Sequence, residues 1–70
     1  MNVTQGKTVG IGKRLLSVPE AAEYLGRTSW AVRGLIDNGK IPVVRLDRRV
    51  QIDRLDLERL IERCKVSIVD

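Results

Sequence analysis

The chain predicts a mainly α fold, three short helices with a small two-stranded antiparallel hairpin, on three observations. Two short apolar stripes of helical spacing, one through Ala21 and Ala22 and one through Val32 and Leu35, are separated only by Gly26-Arg27-Thr28. The apolar period then changes to strict alternation over residues 44–52 and returns to helical spacing over residues 54–64. Seventy residues hold one domain with a small core, because short chains bury a smaller share of their surface.

The first helix begins at a capping box. Ser17 and Glu20, three residues apart, each satisfy a backbone amide at the helix start, and Pro19 suits a first turn that needs no amide donor. Val18, Ala21, Ala22 and Leu25 then fall on one face, and Gly26 stops the helix. Thr28 is the N-cap of a second helix running through about Asp37, with Asn38-Gly39 as its stop. At 100° per residue, Ala31, Val32, Leu35 and Ile36 cover its inner side, and Trp30, Arg33, Gly34 and Asp37 its outer side.

After Lys40-Ile41-Pro42, Val44 and Leu46 alternate with Arg45, and Val50 and Ile52 alternate with Arg49 and Gln51, which predicts two half-buried strands. Asp47-Arg48 between them is a tight turn lacking the glycine such turns favour, so a wider loop or a bulge stays open. Asp53 caps a third helix with Leu57, Leu60, Ile61 and Cys64 inside and Glu58, Arg59, Glu62 and Arg63 largely outside. Residues 1–14, with Gly6, Gly10 and Gly12, read as a flexible arm, 15–64 as the folded domain, and 65–70 as a tail that frays.

Composition narrows the chemistry. Histidine is absent and Cys64 is the lone cysteine, which leaves no general base of the usual kind, no intrachain disulfide and no common zinc set. The carboxylates have structural work at helix starts or on solvated faces, and the glycines lack the strand and helix that frame a phosphate-cradling loop. The expectation is a protein that is not an enzyme, takes no cofactor, metal or small-molecule substrate, and has no membrane partner. No apolar run reaches the ~18–20 residues that cross a bilayer and no signal-like segment opens the chain, so a cytoplasmic location is expected.

The net charge of +4 is unevenly spread: residues 1–16 carry +3, 17–26 carry −2, 27–54 carry +4 and 55–70 carry −1. The basic excess therefore coincides with the second helix and the hairpin, as a nucleic-acid surface requires. A helix start directs amide groups at a phosphate, so Thr28 and Ser29 are candidate backbone contacts, with Arg33 one turn deeper to reach base edges. Trp30 allows two readings, packing on sugars or thymine methyl groups, or folding back under the hairpin. Arg45, Arg48 and Arg49 make the hairpin a basic wing suited to a minor groove, and Arg27, Lys40 and Arg54 are candidate phosphate contacts.

The stretch Leu15-Leu16-Ser17-Val18-Pro19-Glu20-Ala21-Ala22-Glu23-Tyr24-Leu25-Gly26, the core positions Val32, Leu35 and Ile36, the turn Gly39-Lys40-Ile41-Pro42, and the hairpin followed by Asp56-Leu57 together resemble the excisionase family, small MerR-like winged helix-turn-helix proteins. The resemblance spans about residues 15–63. It implies a winged helix-turn-helix, double-stranded DNA as partner, and the role of a recombination directionality factor from a phage or mobile element in a bacterial host. Such a factor binds and bends attachment-site DNA cooperatively, through self-association, and directs a phage-type integrase toward excision. Thr28 and Ser29 match the family's DNA-contacting helix start, Arg33 a base-facing position, and Arg45, Arg48 and Arg49 the basic wing. Trp30, Gly34 and Asp47-Arg48 depart from the family pattern. The alternatives are a small phage or plasmid transcriptional regulator of the same fold and, from another class, a protein-interaction adaptor using Trp30.

Overall fold

In the computed structural model, which describes residues 13–68, the first helix, α1 (Val18–Leu25), starts at the expected capping box. Ser17 Oγ accepts from the Glu20 amide at 3.2 Å, and the Ser17 amide donates to Glu20 Oε1 at 2.8 Å. Lys13 closes on the same carboxylate through its ammonium. At the other end Gly26 takes the left-handed conformation at φ 68°, so that its amide reaches the Glu23 carbonyl and the Arg27 amide the Ala22 carbonyl. This is a Schellman ending, and glycine supplies it without the clash a Cβ would bring.

The second helix, α2 (Ser29–Asp37), is built the same way. Thr28 Oγ1 accepts from the Ala31 amide at 3.0 Å. Gly39, at φ 71°, ends the helix by donating to Ile36 while Lys40 donates to Leu35. Both helices therefore have fixed ends, and only residues 26–28 separate them. Ala21 and Ala22 are buried where α1 meets α2, and their small side chains permit the close approach that also encloses Val32.

The two expected strands form as β2 (Val44–Leu46) and β3 (Arg49–Asp53), but a third strand, β1 (Leu15–Leu16), completes the sheet in the order β1-β3-β2. Leu15 pairs antiparallel with Asp53 and Leu16 with Ile52, so β3 is the central strand. The β2–β3 register, Val44 with Gln51, Arg45 with Val50 and Leu46 with Arg49, leaves a two-residue turn and no bulge. Asp47 there has φ 59°, a conformation that aspartate tolerates better than most side chains.

This register puts the apolar residues of the two strands on opposite faces of the hairpin. Cross-strand partners share a face, so Val50 and Ile52 lie with Arg45, whereas Val44 and Leu46 lie with Gln51 and Arg49. Ile52 is fully buried, Val44 is half-buried and Leu46 is exposed. The core extends under the base of the hairpin and not under its tip.

The third helix, α3 (Arg54–Cys64), follows β3 without a loop because Asp53 belongs to both. Its Oδ1 accepts the Leu55 amide at 3.0 Å, and its two oxygens receive Nε and Nη2 of Arg14 at 3.0 and 2.9 Å. The Arg54 amide also donates to the Arg14 carbonyl at 2.8 Å. Leu57 and Leu60 close the core over Leu16, Val18, Val32, Ile41 and Ile52. Ile61 and Cys64, expected on the buried stripe, are exposed instead, because they line an open groove with Leu25, Ala31 and Leu35 that the helices do not close. In the tail Val66 and Ile68 are exposed and join no strand. The arm's residues 1–12, and Val69 and Asp70 of the tail, lie outside the described residues; Lys13 and Arg14 are held by ion pairs to Glu20 and Asp53.

Two predictions follow from these local features. The Lys13 ammonium, with the Ser17 amide, holds the Glu20 carboxyl below its ordinary 4.5, at about 2, and the Arg14 guanidinium with the Leu55 amide lowers that of Asp53. Carboxyls depressed in the folded state stabilise above their unfolded range and lose that contribution as pH falls through the folded values. Thermal midpoints should therefore drop between pH 4.5 and about 2. Glu20→Gln, which keeps an acceptor for the Ser17 amide but cannot titrate, should give a flatter acid limb. Gly34, inside α2, would meet nothing within 4 Å if it carried a Cβ. Gly34→Ala should stabilise the domain by about 1 kcal/mol, read from chemical denaturation.

Candidate nucleic-acid interface

The inner side of α2 is spent on the core, with Val32 fully buried and Ala31, Leu35 and Ile36 half-buried. Its outer side carries Trp30, Arg33 and Asp37, all exposed, and the bare backbone of Gly34, as helical spacing predicts. Thr28 is committed to the cap through Ala31, and Ser29 beside it is half-buried in the first turn. Trp30 is 85% exposed, which excludes its folding under the hairpin: the largest apolar side chain in the chain stands in solvent on this face.

The wing carries its cations on more than one side. Arg45 lies on the Val50 face, Arg49 on the Leu46 face, and Arg48 at the turn between them. Arg33 and Arg49, from α2 and β3, line one concavity whose floor is formed by Ser17, Val18, Pro19, Val50 and Gln51. The fold thus brings one arginine of α2 and one of the wing to the same concavity beside the start of α1. Gln51 and Pro19 enter it only through the three-dimensional arrangement, and no local sequence signal marks them.

Ion pairing sorts the cations by location. Lys13, Arg14, Arg54, Arg59 and Lys65 pair with Glu20, Asp53, Glu58, Asp56 and Glu62. Arg63 donates to the Lys40 carbonyl at 3.3 Å. The side chains of Arg27, Arg33, Lys40, Arg45, Arg48 and Arg49 have no ion pair or hydrogen bond among the described residues. All six lie in α2, in the turns flanking it, or in the wing. Arg54 stands apart from the other candidate phosphate contacts: it pairs with Glu58 at 3.4 Å and donates to the Lys13 carbonyl at 3.3 Å, fastening α3 to the residues before β1.

Such a surface suits a polyanion. Unneutralised arginines need no internal bond broken before they bind phosphate, and the guanidinium fork donates in pairs to phosphate or to guanine. Among the described residues no cluster of histidine, cysteine and carboxylates is arranged to hold a metal, and no helix is long and apolar enough to cross a membrane.

Comparison with known proteins agrees with this geometry. A family model described as a helix-turn-helix domain matches residues 15–65, from β1 to the residue after α3. No curated protein and no solved structure matches the chain. With three helices, a small antiparallel sheet and a match over most of its length, the chain belongs to the helix-turn-helix domain family, a membership that implies DNA binding.

Proposed function

We propose that the protein is an architectural DNA-binding factor of the excisionase type. It reads a site in double-stranded DNA, bends it, and steers a phage-type integrase toward excision. The observation that carries the DNA-binding part is the set of six unneutralised cations spread over α2, its flanking turns and the wing. In this reading α2 enters the major groove, with Thr28 and Ser29 at the backbone and Arg33 at a base edge. Arg45 and Arg49, on opposite faces of the wing, suit a minor groove flanked by two phosphate strands, with Arg48 leading into it. Arg27 and Lys40 hold phosphates on either side of α2, and Arg54 supports the contact only by fixing α3. Cooperative self-association along DNA and the integrase partnership rest on the resemblance to excisionases.

The DNA contact is tested by gel-shift titration on a duplex selected in vitro. Arg33→Ala should weaken binding by about 1–3 kcal/mol, and Arg49→Ala should reduce the salt slope by about 1. Arg59→Ala, on α3 in an ion pair with Asp56, should change neither. The excisionase role is tested separately, by excision between attachment sites with purified integrase. Stimulation supports it, whereas DNA binding with no stimulation assigns the protein to transcriptional control.

A further inference from the structure

Two features of α2 cost stability and have no internal explanation. Trp30 leaves the largest apolar side chain of the protein in water, where covering it would be favourable. Gly34 weakens a helix interior although an added Cβ would touch nothing. They are four residues apart, hence neighbours on one helix face, and glycine leaves the backbone beside Trp30 without a side chain. That bare stretch of backbone lies next to the exposed ring. Trp30, Arg33 and Gly34 line the same shallow depression, which continues to Asp37 and Asn38.

The helix backbone that carries Trp30 is anchored by the fold itself. Thr28 caps the turn on which Trp30 stands, and the two residues after it are half-buried (Ala31) and buried (Val32). An exposed aromatic held on a rigid helix start, next to an unpaired arginine, meets two kinds of chemistry in a major groove. The polar base edges suit Arg33, and the one apolar group, the thymine C5 methyl, suits an indole face.

We infer that Trp30, with the clearance left by Gly34, is a specificity-determining site for the C5 methyl of a thymine in the major groove. The inference rests on the DNA-binding reading above and adds to it the chemical group that is read. Arg33 fixes the register on the neighbouring base pair while the ring covers the methyl. Gly34 lets the groove edge come close enough to the helix for that contact.

Replacing single thymines by deoxyuridine in the selected duplex removes only the methyl groups. Wild-type affinity should fall roughly fourfold at one or two positions, the value of burying one methyl group. Trp30→Ala should bind more weakly and lose its sensitivity at those positions. Trp30→Phe, which keeps an apolar ring and drops the indole N–H, should retain it. Because Trp30 is the chain's single tryptophan, its emission should also change when the duplex binds. Tight wild-type binding that is indifferent to every deoxyuridine, or a Trp30→Ala protein with unchanged deoxyuridine sensitivity, overturns the inference. So does a Trp30→Ala protein that binds DNA as wild type but loses a protein ligand. Failure of the wild type to retain any duplex at low salt overturns instead the DNA-binding reading on which the inference stands.

Discussion

Asp53 is the residue at which the fold is tied together. It ends the central strand, pairs in register with Leu15 of β1, caps α3 and takes both guanidinium donors of Arg14. Strand becomes helix there with no intervening loop, so the direction of α3 is set by the sheet. The position of α3 in turn decides what covers Ile52 and Val32, and through Val32 how α2 is seated. Bidentate charged hydrogen bonds are more directional than neutral ones, so this pair sets how Arg14 lies against the junction. A helix-turn-helix unit of α1 and α2 has too little apolar surface to stand alone, and the sheet with α3 completes it.

The same junction takes part in a division of charge. Carboxylates of α1, β3 and α3 neutralise the cations of the N-terminal approach and of α3, and their attractions serve the fold. The cations of α2 and the wing are left without partners among the described residues. Exposed ion pairs add little to stability. They also leave the unneutralised cations concentrated in α2, its flanking turns and the wing.

Much of this was legible in the chain. Ser17 with Glu20, Thr28 and Asp53 announce three helix starts, and Gly26 and Gly39 announce two stops, because each residue type answers a backbone requirement that recurs in every helix. The outer face of α2 could be drawn from spacing alone. The strand Leu15–Leu16 could not, since two residues carry no alternation and only the exposed edge of β3 defines it. At Asp47-Arg48 the sequence pointed to a tight turn but, lacking the usual glycine, left a wider loop or bulge open, and the strand register shows the tight turn. Arg54 reads as one more basic residue near the hairpin until Glu58 and the Lys13 carbonyl are seen beside it. Spacing placed Trp30 outward, and the structure removes the alternative that it folds inward.

The central claim is that α2 and the wing form one surface and engage a duplex together. Amide chemical-shift mapping during titration with a selected duplex tests it most directly. Large perturbations should appear together at Thr28 to Gly34 and at Arg45 to Gln51, while the outer face of α3 at Glu58, Arg59 and Glu62 stays unperturbed. Perturbations confined to α3, or to α2 with none in the wing, would contradict the account.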